Sequence, residues 1–529
     1  MTTKTCTYLV VGAGSSGCVV ANRLSENGKH KVILLEAGGE DRSPWIHIPV
    51  GYFKTMGNPK MDWCYKTESD AGLNGRAIPW PRGKVLGGSS SINGLLYVRG
   101  QEQDFDDWRD LGNTGWGWQD VAPLFRRLED WQGTPAEGRG QCGPMKVSET
   151  RGKRDIVEAW LQAAQNCGYP WNEDYNNGDQ EGVNYFQQTA YAGRRWSSAV
   201  AYLRPAKNRD NLDVITNAQA KKILFDEDNR AIGIQTLDGR KFHADAEVIL
   251  CAGALGSAQL LMVSGIGDQA ELNEHGIKVR ANLVGVGKNM QDHLQARPVY
   301  KTTASTINVE TRHLWRKALI ALQYAYNRTG AMTMAASLGT GFLATKHSPN
   351  RADIQYHIQP FSADHPADGP HRFSAFTASV LQMRPESRGH IALTSADIRD
   401  YPKIYPNYLS HDSDCTTIVE GMRITRAIAR MQPLAGLISA EYKPSNEIAD
   451  DDDAAMLNWV RDSATTIYHP TGTCRMGSDK TSVVDSKLRV YGVQGLRIAD
   501  ASIMPNITSG NTNAPCLMIG EKLAAMITG

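Results

Sequence analysis

The chain has 529 residues, more than one hydrophobic core usually serves, so two or more domains are expected. Its 57 Lys+Arg nearly cancel 56 Asp+Glu, which argues against a general nucleic-acid partner, and 41% hydrophobic with 21% charged residues is an ordinary globular composition. Nine scattered cysteines with no CxxC pair argue against a disulfide framework or a zinc site, and no apolar run of about 18 residues could span a membrane.

No metal is expected, and a reducing, cytoplasmic compartment fits this cysteine pattern. The first apolar run, "YLVVGAG" from Tyr8, passes directly into a glycine loop and reads as part of the fold rather than as a signal peptide.

Residues 7–36, "TYLVVGAGSSGCVVANRLSENGKHKVILLE", read as strand, glycine turn, helix and strand. That is a βαβ unit of about 30 residues carrying GxGxxG at Gly12, Gly14 and Gly17. Gly12 permits the tight turn, Gly14 admits a pyrophosphate close to the backbone, and Gly17 lets helix and strand pack closely. The helix N-terminus offers N–H groups to phosphate, and Glu36 is placed to accept hydrogen bonds from a ribose diol. Acid and glycines suit NAD or FAD; "AGGE" (37–40) and later segments favour FAD.

In "PRGKVLGGSSSINGLLYVRG" (81–100), Gly87, Gly88 and Ser89 open a small-residue, donor-rich loop able to lie against a flat ring or a phosphate. "AEVILCAGALGSAQLLMVSGIG" (246–267) returns to strand, turn and helix, with Ser257 as expected cap and Gly265 as terminator. A strand–turn–helix this late in the chain suggests a discontinuous cofactor domain.

Here the chain resembles the glucose–methanol–choline (GMC) family of FAD oxidoreductases. "GKVLGGSSSINGLLYVRG" is similar to the family's first signature and "GALGSAQLLMVSGIG" (253–267) to its second, with Ala258 where Pro or Ser is usual. "VGVGKNMQDH" (284–293) and "RIADASIMPNITSGNTNAPCLMIGEK" (497–522) extend the likeness, which is nearest the choline dehydrogenase and aliphatic alcohol dehydrogenase branch. The resemblance implies an α/β fold, α+β overall. A Rossmann-like FAD-binding domain (1–155, 205–295 and 482–529) would join a discontinuous substrate domain (156–204 and 296–481) built on an antiparallel sheet with helices. It also adds cofactor contacts at Ser15, Ser16, Ala37, Asn93, Gly94, Leu95, Ala220, Asp500, Ala501 and Thr512. Some members tether FAD through a histidine in the first signature. Ile92 stands at that position here, which implies a non-covalent flavin.

In the expected substrate domain, "RHLWRKALIALQYAYN" (312–327) mixes basic and apolar residues. It reads as an ordinary helix, with rest against a membrane as the other reading, relevant because dehydrogenases of this type often pass electrons to membrane quinones. Pocket-wall candidates are "MTMAASLG" (332–339), "YHIQPF" (356–361), Trp63, Ile467 and Tyr468, and their apolar character favours a primary alcohol with an aliphatic or aromatic tail. No carboxylate stands out to hold a quaternary ammonium. "DDDD" (450–453) reads as a solvated helix start.

"YHPTGTCRMG" (468–477) holds His469, which alone reads as a residue of a rigid turn. The family resemblance makes it the histidine facing the flavin, with Asn511 as its partner. Alcohol oxidation needs such a pair. A neutral imidazole takes the hydroxyl proton, an amide fixes the oxygen, and the flavin receives the hydride. In the last helix Asn513 is the expected cap and Pro515 suits the first turn. That helix's N-terminus would face the flavin pyrimidine. The pair would serve a dehydrogenase passing electrons to a quinone or other non-oxygen acceptor, an oxidase releasing hydrogen peroxide, or a hydroxynitrile lyase on the same fold.

Overall fold

The computed structural model describes residues 3–364 and 369–529. The opening segment forms β1 (Thr3–Val11), α1 (Ser15–Ser25) and β2 (Val32–Leu35). The two strands pair in parallel, from Tyr8 opposite Val32 to Val11 opposite Leu35. All four residues of β2 are buried, as a parallel strand covered on both faces requires.

A seven-stranded sheet grows around this unit. Its order runs from the strand at Leu212–Ile215 through β2 and β1 to β3 (Lys241–Leu250), then to Ala231–Thr236 and Ala220–Phe225. The late strand Leu496–Ile498 joins β3 in parallel. Residues from three stretches of the chain therefore share one sheet.

Two helix starts differ from the sequence reading. α2 spans Gly253–Val263, so Ser257 lies one turn inside it rather than at its cap. The Ser257 hydroxyl instead donates to Asp500 Oδ2 at 2.6 Å and accepts from Ala252 N at 3.1 Å. The closing helix has Thr512 at its cap position, with no side-chain cap. Asn513 is its first residue, and its amide donates to Ser15 Oγ at 2.8 Å. In both cases a polar side chain with good capping chemistry is used for a tertiary contact.

A second sheet has eight strands. β4 (Leu294–Ala296) and β5 (Val299–Thr302) enter it, followed by β6 (Ile354–Gln359) and β7 (Ala375–Gln382). Neighbours in this sheet are antiparallel. β6 is buried on both faces. Tyr356 on one face donates to Gly421 O at 2.7 Å, which leaves Gln355, His357 and Gln359 on the other. β4 also pairs with Thr465–Thr466. That pairing brings His293, just before β4, beside His469, just after Thr466.

The segment 312–327 contains a helix, α3 (Leu314–Asn327), that stands clear of the body. Only Tyr324 is buried, whereas Leu314 is 82% and Tyr326 89% exposed. In the aspartate run, Asp452 caps the helix Asp453–Ser463 by accepting from Ala455 N. Asp450 is not merely solvated; it pairs with Arg426 at 2.9 Å.

α4 (Asn513–Thr528) packs along α1. Ser16 Oγ donates to Cys516 O at 2.6 Å, and Arg23 pairs with the fully buried Glu521 at 2.8 Å. The N-termini of both helices consequently lie side by side.

Candidate active site

A cavity of about 1230 Å³ runs between the two sheets. A single-ligand pocket is usually about 300–1,000 Å³, so this space suits a dinucleotide together with a second molecule. Its far end is lined by Gly12, Gly14, Ser15, Ser16, Glu36 and Ala37. Gly88, Ser89, Asn93, Gly94 and Ala220 continue the wall, and Asp500, Ala501 and Thr512 close it.

Two glycines are required by geometry. Gly12 has φ +103°, and a Cβ there would lie 2.5 Å from Cys251 O. Gly88 has φ +52°, and its Cβ would lie 2.7 Å from Gly14 Cα. The first-signature loop and the opening turn thus touch backbone to backbone.

Three residues expected at the cofactor lie behind this wall. Gly17 serves packing, since a Cβ there would meet Gly12 O at 1.9 Å. Gly87 N donates to Ala13 O at 2.7 Å and locks the two loops together. Leu95 is fully buried in a separate apolar cluster with Val98 and Phe342.

Electrostatics at this end favour an anionic dinucleotide. Neither α1 nor α4 has a side-chain cap, and residues at both starts line the cavity. Their first N–H groups need acceptors, which phosphate and pyrimidine oxygens of a bound FAD would supply. The Glu36 carboxylate accepts from Ala13 N at 2.9 Å and Gly38 N at 2.8 Å, while burial raises its pKa to about 7. Asp500 accepts from Gly253 N, Ser257 Oγ and Ser502 N, tying the α2 start to the last strand. These residues fit FAD.

The near end holds the catalytic candidates. His469 Nε2 lies 3.1 Å from Asn511 Nδ2, and both residues line the cavity. His469 N donates to Asp292 Oδ1 at 2.6 Å. The Asp292 carboxylate also accepts from Thr466 Oγ1 at 2.5 Å and from the Tyr408 hydroxyl. Burial nevertheless raises its pKa to about 6. Tyr468 has φ +73°, a left-handed conformation costing a bulky residue about 1–3 kcal/mol. It is held there by its N–H to Thr466 Oγ1 (2.7 Å) and by Arg82, which donates to its carbonyl at 2.5 Å.

Hydrogen bonding assigns the tautomers. His293 Nε2 lies 2.7 Å from Met383 O, which can only accept, so this nitrogen carries the proton. Burial lowers the His293 pKa to about 4, so the ring is neutral and its Nδ1 is bare. His293 Nδ1 lies 3.0 Å from His469 Nδ1, which must therefore be the donor. Burial, followed by His293 and His357, pulls the His469 pKa well below its usual 6.5. Its Nε2 is then an unprotonated base. Gln355 donates to Asn511 Oδ1 at 3.4 Å, which turns the Asn511 amide hydrogens toward that nitrogen.

Sequence reading missed Asp292, His293 and Gln355. "QDH" at 291–293 was the available signal for the first two. Of the wall candidates, Trp63, Ala336, Ser337, His357, Gln359, Phe361, Ile467 and Tyr468 do line the cavity. All nine cysteines are free thiols, and no metal-binding cluster exists among the described residues.

Comparison with known proteins agrees with this architecture. Two GMC oxidoreductase family models match residues 6–295 and 385–520. The chain is 40% identical to an alcohol dehydrogenase [acceptor] of Pseudomonas putida, over 98% of its own length and 95% of that protein's. It is also 40% identical to an oxygen-dependent choline dehydrogenase of Brucella anthropi, over 99% and 95%. A solved formate oxidase variant from Aspergillus oryzae RIB40 superposes with a TM-score of 0.93 at 28% identity, covering 99% of this chain and 98% of that one. Matched across both halves, with the glycine cradle and the closing helix at one cavity, the chain belongs to the GMC oxidoreductases, a family of FAD-binding enzymes.

Proposed function

We propose that this enzyme oxidises a primary alcohol to an aldehyde, with His469 as general base and Asn511 as the group that orients the substrate oxygen. The carrying observation is the bare Nε2 of His469, paired with Asn511 at 3.1 Å on the wall of the cavity that the glycine cradle also lines. FAD, when bound, supplies the hydride acceptor. His469 Nε2 takes the hydroxyl proton, and the Asn511 amide fixes the angle of the oxygen. Asp292, which accepts from the His469 backbone N–H, holds the turn in place. The cavity wall around Ile92 supports a non-covalent flavin, because Ile92 lines the cavity where a tethering histidine would stand and has no nucleophilic atom.

The electron acceptor in this reading is a quinone or another non-oxygen oxidant, as the name of the P. putida relative suggests. Helix α3 supports delivery at a membrane surface. It exposes Leu314, Trp315, Leu319, Leu322 and Tyr326 beside Arg312, Arg316, Lys317 and Arg328, with no acidic residue between Glu310 and Asp353. Such a helix suits the interface of an anionic leaflet, and no helix among the described residues is long and apolar enough to cross one. Flotation with equimolar phosphatidylcholine–phosphatidylglycerol vesicles tests this point. Binding should be lost in a Leu319→Glu, Leu322→Glu double variant, and failure of the unmodified protein to float overturns it.

The alcohol reading is tested by mixing the yellow protein anaerobically with a panel of primary alcohols and following flavin absorbance. Bleaching is expected. A flavin left oxidised by every alcohol overturns the reading. Adding oxygen or a soluble quinone to the bleached protein then identifies the acceptor class.

A further inference from the structure

The substrate side of the cavity carries a cation with little to hold it. Arg297 follows β4 and lines the cavity together with Gln295 and Val299, the alternate residues of the same face. Its one side-chain hydrogen bond goes to Gln359 Oε1, at 3.3 Å. Among the described residues no carboxylate pairs with it. Arg195 makes the contrast. It is also buried without a carboxylate, but donates to four oxygens, those of Ile46, Ser90 and both oxygens of Asn93. Arg195 is satisfied by the protein, whereas Arg297 presents unused N–H groups to the cavity.

A second observation points the same way. Gln359 Nε2 donates to Ser337 Oγ at 3.3 Å, which leaves its Oε1 for Arg297. The Ser337 hydroxyl, 3.3 Å from His357 Nδ1, is then free to donate to that nitrogen. His357 is 1% exposed and neutral, since burial lowers its pKa to about 3. Its proton therefore sits on Nε2, which has no partner. The same chain of contacts fixes Gln359 Oε1, and through it the Arg297 guanidinium, at the cavity wall. The wall thus offers one charged donor group, the Arg297 guanidinium, with N–H groups that the protein leaves unused.

Strand β6 sets the scale. Gln355 touches the catalytic Asn511, His357 follows on the same face, and Gln359 holds Arg297. Same-face residues repeat about every 6.6 Å along a strand, so the guanidinium lies on the order of 7–13 Å from the reacting hydroxyl.

We infer that the substrate is a hydroxy acid, an alcohol whose tail ends in a carboxylate bound by Arg297. The carboxylate takes the N–H groups that the protein leaves unused, and the hydroxyl reaches His469 at the other end. A quaternary ammonium would face a guanidinium instead. This assignment rests on the alcohol-oxidation reading and refines it.

The test is anaerobic flavin reduction with ω-hydroxyhexanoate, plain hexanol and choline. The unmodified protein should favour the hydroxy acid over hexanol by about 30-fold or more in reduction rate over dissociation constant, the scale of one desolvated charge pair. Choline should not bleach the flavin. In Arg297→Gln that preference should collapse toward unity, mainly through the dissociation constant, and Arg297→Lys should restore part of it. Retained flavin absorbance shows that each variant is folded. Bleaching by hexanol with no preference for the acid overturns the subsite while leaving the alcohol reading intact. No bleaching by either alcohol overturns both. Inorganic phosphate should compete with the hydroxy acid; if it accelerates hexanol oxidation instead, Arg297 holds a free anion and the assignment fails.

Discussion

The rings of His293 and His469 meet nearly at right angles, 87° between planes, with their Nδ1 atoms 3.0 Å apart. Two imidazoles in this arrangement cannot both be protonated at Nδ1. Because Met383 O claims the His293 proton at Nε2, His469 must donate from Nδ1. His293 thus fixes the His469 tautomer, leaving Nε2 unprotonated and able to accept from Asn511 Nδ2.

Replacing it removes that constraint. His293→Phe should lower the rate of flavin reduction about 10- to 100-fold, within the scale of a misoriented general base. Because His293 accepts the Nδ1 proton of His469, its loss also alters the His469 protonation equilibrium, and the acid limb of the rate profile should shift. A variant that lost rate with an unchanged pH profile would have a merely structural defect.

His469→Ala should cut turnover about 10²-fold or more while FAD stays bound. Asn511→Ala should also cut the rate constant, with a smaller change in alcohol affinity. Stopped-flow reduction separates the two quantities, and near-normal turnover in His469→Ala would refute the base assignment.

The pH dependence follows from burial. An ordinary imidazole protonates near 6.5, but the folded protein disfavours the charged form of His469, so its pKa lies lower. The base therefore stays unprotonated as pH falls through 6.5. The acid limb of kcat/KM should appear well below that value, and a limb at 6.5 or above would contradict the neutral, buried geometry.

Gly88→Ala places a Cβ 2.7 Å from Gly14 Cα at a positive φ. The contact is backbone on backbone, so neither side can swing away. Loss of flavin on purification is expected, with a stability cost of about 1–3 kcal/mol. Absorbance near the flavin bands and a melting curve check both.

Acid precipitation should leave the yellow colour in the supernatant, because Ile92 offers no atom for a bond to the flavin. Colour retained in the protein pellet would refute non-covalent binding.

Local regularities made the first βαβ unit legible in the sequence, since glycine spacing, strand period and a terminal acid are all short-range signals. His469 and Asn511 were legible only through family motifs. His357, Gln359 and Arg297 carry no local mark of their roles. β6 is buried on both faces, so alternation cannot tell which face fronts the cavity. The caps misread at Ser257 and Asn513 show the same limit. Their hydrogen-bonding capacity was visible, but their partners, Asp500 and Ser15, are about 250 and 500 positions away.

That last separation has a consequence for biosynthesis. The cavity-lining turn at Ser15–Ser16 is braced by Asn513 and Cys516, so a nascent chain lacking its final helix has only half of the cradle. Contacts at this sequence separation slow folding, because loop-closure entropy is lost before any contact rewards it. Flavin capture is therefore expected to follow translation of the helix at 513–528 rather than accompany emergence of the glycine turn from the ribosome.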